Sequence, residues 1–175
     1  KHPSNFRSEE DIDTYLKNNG IPGLCGIDTR ALTKLLREKG SMNGLITDNP
    51  KNADLAKIKG FKTENPVSSV TVKAPENHLC ENAKFTVAMP DFGRDENILP
   101  ALLSCGLNVK IFPANASAEE ILSCRPDGIF LTNGPGNPSD NTEIIENLKK
   151  LAGKKIPIMG IGLGHQLLAL AKGFK

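Results

Sequence analysis

Residues 156–173 read Ile-Pro-Ile-Met-Gly-Ile-Gly-Leu-Gly-His-Gln-Leu-Leu-Ala-Leu-Ala-Lys-Gly. An apolar run from Ile156 to Ile161 ends in Gly-Ile-Gly-Leu-Gly. A helical pattern follows at once, with Leu167, Leu168 and Ala171 apolar and Gly173 as its stop. The pattern is strand, sharp turn, helix. A turn this tight holds the residue at its tip, here Gly162, exposed and strained. The helix start behind it offers free N–H groups and positive potential. Nucleophile elbows are built in this way.

The residues from 85 to 155 that lead to this stretch share its grammar. Phe85 to Met89 reads as a strand ending at Asp91-Phe92-Gly93, followed by a helix near 96–105 with Leu99, Leu102 and Leu103 apolar and Gly106 as stop. Asn108 to Phe112 is a second strand, and Ser117-Ala-Glu-Glu120 is a capping box that opens a second helix. Gly128 to Thr132 is a third strand, closed by the tight loop Asn133-Gly134-Pro135-Gly136-Asn137-Pro138. Ile144, Ile145, Leu148 and Leu151 form a third helix, ended by Gly153. Continuous apolar strands separated by amphipathic helices predict an α/β fold with a parallel sheet covered on both faces.

The first 83 residues read differently. A capping-box-like start at Ser8-Glu9-Glu10-Asp11 opens a helix with Ile12, Tyr15 and Leu16 apolar, stopped at Asn19-Gly20. Asp28 is a good N-cap for a helix bearing Leu32, Leu35 and Leu36 and ending at Gly40. Asp54 can cap a short helix over Leu55 to Ile58. Pro66 to Lys73 is rich in Val and Thr and reads as a strand. The polar stretch from Pro75 to Asn82 reads as an interdomain linker, which places the boundary near residue 83.

Two motifs carry a family resemblance. Gly160-Ile161-Gly162-Leu163-Gly164-His165-Gln166 resembles the G-I-C-L-G-H-Q motif of class I (triad) glutamine amidotransferases, in particular the carbamoyl-phosphate synthase small-subunit family. Gly26-Ile27-Asp28-Thr29-Arg30-Ala31-Leu32-Thr33, with Leu36-Arg37-Glu38-Lys39-Gly40 and Asn43-Gly44, resembles the end of the N-terminal domain of that subunit. The loop Thr132-Asn133-Gly134-Pro135-Gly136-Asn137-Pro138 resembles its S/G-x-G-P-G-x-P loop. Gly134-Pro135-Gly136 alone is compatible with an ordinary turn. In register with Gly164-His165-Gln166 one strand later, it is specific.

The resemblance implies a flavodoxin-like parallel sheet of the class I amidotransferase type, truncated, over residues 84–175. It makes residues 1–83 the end of a smaller N-terminal α/β domain plus linker. It implies hydrolysis of L-glutamine, with ammonia passed to a large subunit that makes carbamoyl phosphate for pyrimidine and arginine synthesis. ATP and metal then belong to the large subunit, and no cofactor to this one. By the same resemblance, Gly134 N–H and Leu163 N–H form the oxyanion hole, Gly136 lets the backbone approach glutamine, and Gln166 hydrogen-bonds it.

The catalytic position departs from the pattern. Gly162 stands where the family has its nucleophilic cysteine, and glycine has no atom that can attack an amide. The family's catalytic histidine and acid come from sequence beyond Lys175. His165 lies in the first turn of the elbow helix and reads as a local packing or hydrogen-bonding residue, and His2 and His78 have no partner pattern. Asp28 and Arg30 read as a cap and an ion-pairing residue, or as packing within the N-terminal domain or at a subunit contact. The family's D-F-G-x-K-x-N-I-x-R is here Asp91-Phe92-Gly93-Arg94-Asp95-Glu96-Asn97-Ile98-Leu99-Pro100, so basic residues give way to Asp95 and Pro100. The chain as written is therefore expected to be inactive. Its start without Met and its stop after one elbow helix point to a longer protein, because a sheet stopped there leaves an edge and an apolar face open.

Composition bounds the remaining alternatives. With 22 basic against 20 acidic residues, nothing implies a nucleic-acid or membrane partner. No run of about 18 apolar residues exists, so no membrane span is expected. Cys25, Cys80, Cys105 and Cys124 lack C-x-x-C spacing and read as reduced thiols of a cytoplasmic protein, where the sequon Asn115-Ala116-Ser117 has no meaning. One alternative function is a noncatalytic pseudo-amidotransferase that partners an ammonia-dependent synthetase. Another is a module that binds an anion or nucleotide at Gly134–Gly136, although that loop matches neither G-x-x-x-x-G-K-[ST] nor G-x-G-x-x-G.

Overall fold

The computed structural model describes residues 3–174, in two compact units, Lys1–Phe61 and Lys62–Lys175. In the first unit the described elements are helices: α1 (Ile12–Asn18), α2 (Thr29–Lys39), a single 3-10 turn at Pro50–Asn52, and α3 (Leu55–Gly60). Asp28 caps α2 by accepting the Ala31 N–H at 2.9 Å, and Asp54 caps α3 through the N–H groups of Ala56 and Lys57. The cap of α1 is Asp11, which accepts the Thr14 N–H at 2.8 Å, rather than Ser8. A carboxylate directly before the apolar stripe outcompetes the serine three residues upstream, whose hydroxyl donates to the Glu10 carbonyl.

The second unit is a five-stranded sheet with helices on both faces. Its strands are β1 (Glu76–His78), β2 (Phe85–Asp91), β3 (Leu107–Pro113), β4 (Gly128–Leu131) and β5 (Ile158–Gly160), in the order β1-β3-β2-β4-β5. The last four are parallel, with Val87 opposite both Val109 and Gly128, and Leu131 opposite Gly160. β1 runs antiparallel on the β3 edge, with Asn77 opposite Lys110. Counting only the parallel strands, the order is 2-1-3-4, the flavodoxin-like arrangement.

Helices α4 (Pro66–Val70), α5 (Ile98–Ser104), α6 (Ala118–Ser123), α7 (Thr142–Ala152) and α8 (Leu163–Ala171) complete the unit. The period-2 alternation of the strands sends residues to two cores. Ala88, Phe112, Ile129 and Leu131 pack with Ile121, Leu148, Leu151 and Leu167. Met89, Val109 and Ile111 pack with Ile98, Leu99 and Leu102 of α5. Met159 of β5 remains 60% exposed. Ser117 and Glu120 make the expected capping box at α6. Pro100 sits in the first turn of α5, where its missing N–H leaves no intrahelical bond unmade.

Two expectations fail between residues 62 and 83. The stretch read as a strand is helix α4, and the stretch read as linker contributes β1. Asn65-Pro66 is a helix start, because proline at the first helical position is pre-set in φ and its absent N–H would have been unpaired anyway. That signal overrides the β-propensity of Val67, Val70 and Thr71.

Candidate functional site

In an open parallel sheet, ligands bind beyond the C-terminal ends of the strands where the strand order reverses. Here the reversal lies between β2 and β4. Three loops leave the sheet there: 92–97 after β2, 132–138 after β4, and the elbow at 161–162 between β5 and α8.

The elbow is built as its sequence predicts. Gly162 is the N-cap of α8 with φ 51° and ψ −120°, a backbone state that a side chain makes costly. The Ile161 N–H donates to the Leu131 carbonyl at 3.1 Å, and the Gly164 N–H to the Thr132 carbonyl at 2.9 Å, which ties the turn to the end of β4. A Cβ on Gly162 would point at Asn133, 2.9 Å from its Cβ. The tip of the elbow therefore faces the loop after β4 and is exposed, as a nucleophile position must be. No side chain stands there.

The loop after β4 is held from beneath by its neighbour. Thr132 is fully buried, and its Oγ1 accepts the Phe92 N–H at 2.8 Å and donates to the Asn133 carbonyl at 3.0 Å. The Phe92 carbonyl oxygen occupies the space that a Cβ on Gly134 would need, and Leu163 Cδ2 lies 3.0 Å from that same point. Only glycine fits at 134. The Leu163 side chain thus packs against Gly134. Among the described residues neither N–H has a hydrogen-bond partner within the chain. For Leu163 this follows from its place as the first residue of α8. Both main-chain donors are therefore without a partner near an exposed elbow.

The loop after β2 is organised by Asp91, which is 1% exposed. Its carboxylate accepts the N–H groups of Gly93 at 3.2 Å and Arg94 at 3.0 Å, and pairs with the Arg94 guanidinium at 2.9 Å. Arg94 also reaches Glu76 at 3.6 Å, and Glu76 holds His78 at 3.1 Å. His78 thus belongs to this β1 network, away from the elbow. Asp95, one of the departures from the family pattern, caps its own turn by accepting the Asn97 N–H at 2.9 Å, and its N–H reaches Asn133 Oδ1 at 3.3 Å.

Of the residues singled out in the sequence, the structure brings Gly134, Gly162 and Leu163 together. Gln166 is exposed on the first turn of α8, with its N–H on the Gly162 carbonyl at 3.2 Å. Gly136 is exposed, and Pro66 Cγ lies 2.6 Å from where its Cβ would sit. His165 is exposed on α8, and His2 lies outside the described residues. Sequence reasoning missed Asp91 and Thr132 as supports. Their only signal was a polar residue at the end of an apolar strand, which marks either a cap or a site. The native thiols are free, and Cys105 and Cys124 cap the C-terminal ends of α5 and α6. Those helix ends feed the N-terminal ends of β3 and β4, the opposite edge of the sheet from the elbow. Burial pushes the Cys124 thiol above its ordinary pKa, further from a reactive thiolate.

Comparison with known proteins agrees with this geometry. The family model for glutamine amidotransferase class-I matches residues 88–175, and that for the carbamoyl-phosphate synthase small chain, CPSase domain, matches residues 1–46. The chain is 46% identical over 175 residues to the carbamoyl phosphate synthase small chain of Clostridium perfringens, covering 99% of this chain and 49% of that protein. It is 46% identical to that of Caldanaerobacter subterraneus, covering 98% of this chain and 46% of the other. It is 44% identical to that of Salmonella typhi, covering 98% and 50%. The chain thus spans about half the length of the curated relatives it matches. Its elbow and glycine loop lie within the matched span 88–175, and the chain belongs to the class-I glutamine amidotransferase family.

Proposed function

We propose that this chain is part of a carbamoyl-phosphate synthase small subunit whose glutamine-binding frame is intact and whose glutamine-hydrolysing step is lost. The observation that carries this reading is the elbow. Gly162 keeps the strained geometry of a nucleophile position, beside the Gly134 and Leu163 N–H groups, and presents no reacting atom. Hydrolysis of glutamine would need a thiolate to attack the side-chain amide, two donors to hold the resulting oxyanion, and a base to manage the proton. The donors are here. The thiolate is not, and the native cysteines lie at the other edge of the sheet or outside this unit.

In this reading the side-chain carbonyl of L-glutamine is held by the two main-chain N–H groups. Gln166, on the same helix turn as the elbow, hydrogen-bonds the ligand. The carbon–nitrogen bond is not cleaved. The natural partner is the carbamoyl-phosphate synthase large subunit, which carries ATP and metal and would run on free ammonia when paired with this chain.

Two measurements test the reading. Purified chain incubated with glutamine should release no ammonia above a heat-killed control, while calorimetry detects glutamine binding. Ammonia above that control overturns the loss of hydrolysis. Calorimetry without binding overturns the intact frame. Co-purification with a large subunit supports the noncatalytic-partner form.

A further inference from the structure

The segment from Asn65 to Val72 runs across the ends of three strands at the edge where the candidate site lies. Pro66 Cγ sits 2.6 Å from where a Cβ of Gly136 would be, which ties the segment to the loop after β4. Val70 Cγ2 sits 2.8 Å from where a Cβ of Gly93 would be, and the Val72 N–H donates to Asp91 Oδ2 at 3.0 Å, which ties it to the loop after β2. Thr71 Oγ1 accepts the Ala114 N–H at 2.9 Å, just past the end of β3. Val67, 3% exposed, enters the same buried cluster as Phe92, Leu131 and Leu163. Open cavities of about 280 Å³ and 470 Å³ lie along the segment.

The start of the segment is strained. Asn65 has φ 44° and ψ 53°, a left-handed state, directly before a proline. The residue before proline is sterically driven toward extended backbone, so this conformation persists only where the surroundings over-determine it. Strain stored at one end of a strap that touches both site loops is the pattern of a positioning element.

We propose that residues 65–72 are a strap that positions the Gly134–Gly136 loop against the Asp91–Arg94 loop, with Pro66, Val70 and Thr71 as its contact residues. The strap sets the placement of the Phe92 carbonyl over Gly134 and, through it, the direction of the Gly134 N–H. Its consequence for glutamine rests on the function proposed above, whereas the positioning itself does not.

The test uses the whole chain, labelled for amide exchange, with two strap variants. Val70→Ala removes a half-exposed methyl pair and keeps the core whole. Thr71→Val keeps the shape and removes the acceptor for Ala114. A third variant, Ile121→Val, lowers stability at a distance and serves as the control. The strap variants should speed exchange at Phe92, Gly93 and Arg94, whose N–H groups are bonded to Thr132 and Asp91 beside the strap, by roughly tenfold or more over the control at matched global stability, the equivalent of one lost buried hydrogen bond. Unchanged exchange at those three amides in both variants overturns the strap. Calorimetry with glutamine is read separately. If the parent chain binds, both strap variants should bind more weakly. If the parent chain does not bind, the functional reading falls and the exchange data still decide the strap.

Discussion

The main-chain N–H of Phe92 donates to Thr132 Oγ1 at 2.8 Å, and both residues are fully buried. This single bond joins the end of β2 to the end of β4 at the point where strand order reverses. Thr132→Val keeps the volume and removes both hydroxyl roles, which strands the Phe92 N–H without a partner. The loss should destabilise the second unit by about 1–3 kcal/mol. Thr132→Ser should recover most of it. Urea denaturation followed by circular dichroism measures both, and a Thr132→Val midpoint equal to that of the parent would refute the assignment.

What the sequence made legible here was whatever rests on local chemistry. The capping box at Ser117, the cap at Asp28 and the strand–turn–helix at Gly162 each involve residues a few positions apart, and each stands as read. Gly134 was legible as a site residue only through a motif. Its physical reason, the Phe92 carbonyl in the space of a Cβ, comes from the loop after β2, far upstream in sequence. The segment 66–73 was misread because valine and threonine report on packing of any kind: Val67 enters the core from a helix, Val72 packs on the second cluster, and Val70 meets the loop after β2. β1 was invisible for the opposite reason. Glu76, Asn77 and His78 are polar, and an edge strand three residues long needs only a neighbour with free backbone groups. The Asp91–Arg94–Glu76–His78 chain of ion pairs spans two elements and follows from tertiary structure alone.

The capping box at α6 makes a pH prediction. Glu120 accepts the Ser117 N–H at 2.7 Å and the Ser117 hydroxyl at 2.9 Å. These two bonds, the backbone one first, hold its carboxyl below the ordinary glutamate value of 4.5. A depressed folded-state pKa contributes stability that is present above the unfolded value and lost as pH falls through the folded one. The start of α6 should therefore stay ordered at neutral pH and loosen only in acid below that ordinary value. A carboxyl-carbon NMR titration should place the Glu120 midpoint under 4.5. Ser117→Ala should move the midpoint back up. A parent midpoint at or above the ordinary value would contradict the box.

The elbow makes the most direct prediction about chemistry. Gly162→Cys places a thiol at the N-cap of the nine-residue helix α8, with φ 51° at the substituted position. Left-handed backbone should cost the variant about 1–3 kcal/mol of stability, and Asn133 must yield, because the new Cβ would start 2.9 Å from its own. In return the helix N-terminus favours the thiolate, so the new thiol should ionise below the ordinary value of about 8.5. The native thiols supply the comparison within the same molecule. Cys105 is exposed at the C-terminal end of α5, and Cys124 is half-buried with its pKa raised by burial. Alkylation by iodoacetamide at pH 7, resolved by peptide mass spectrometry, should modify position 162 first, Cys105 later and Cys124 more slowly than Cys105. An inverted order, with position 162 slower than Cys105, would mean that the turn does not present its tip as an elbow.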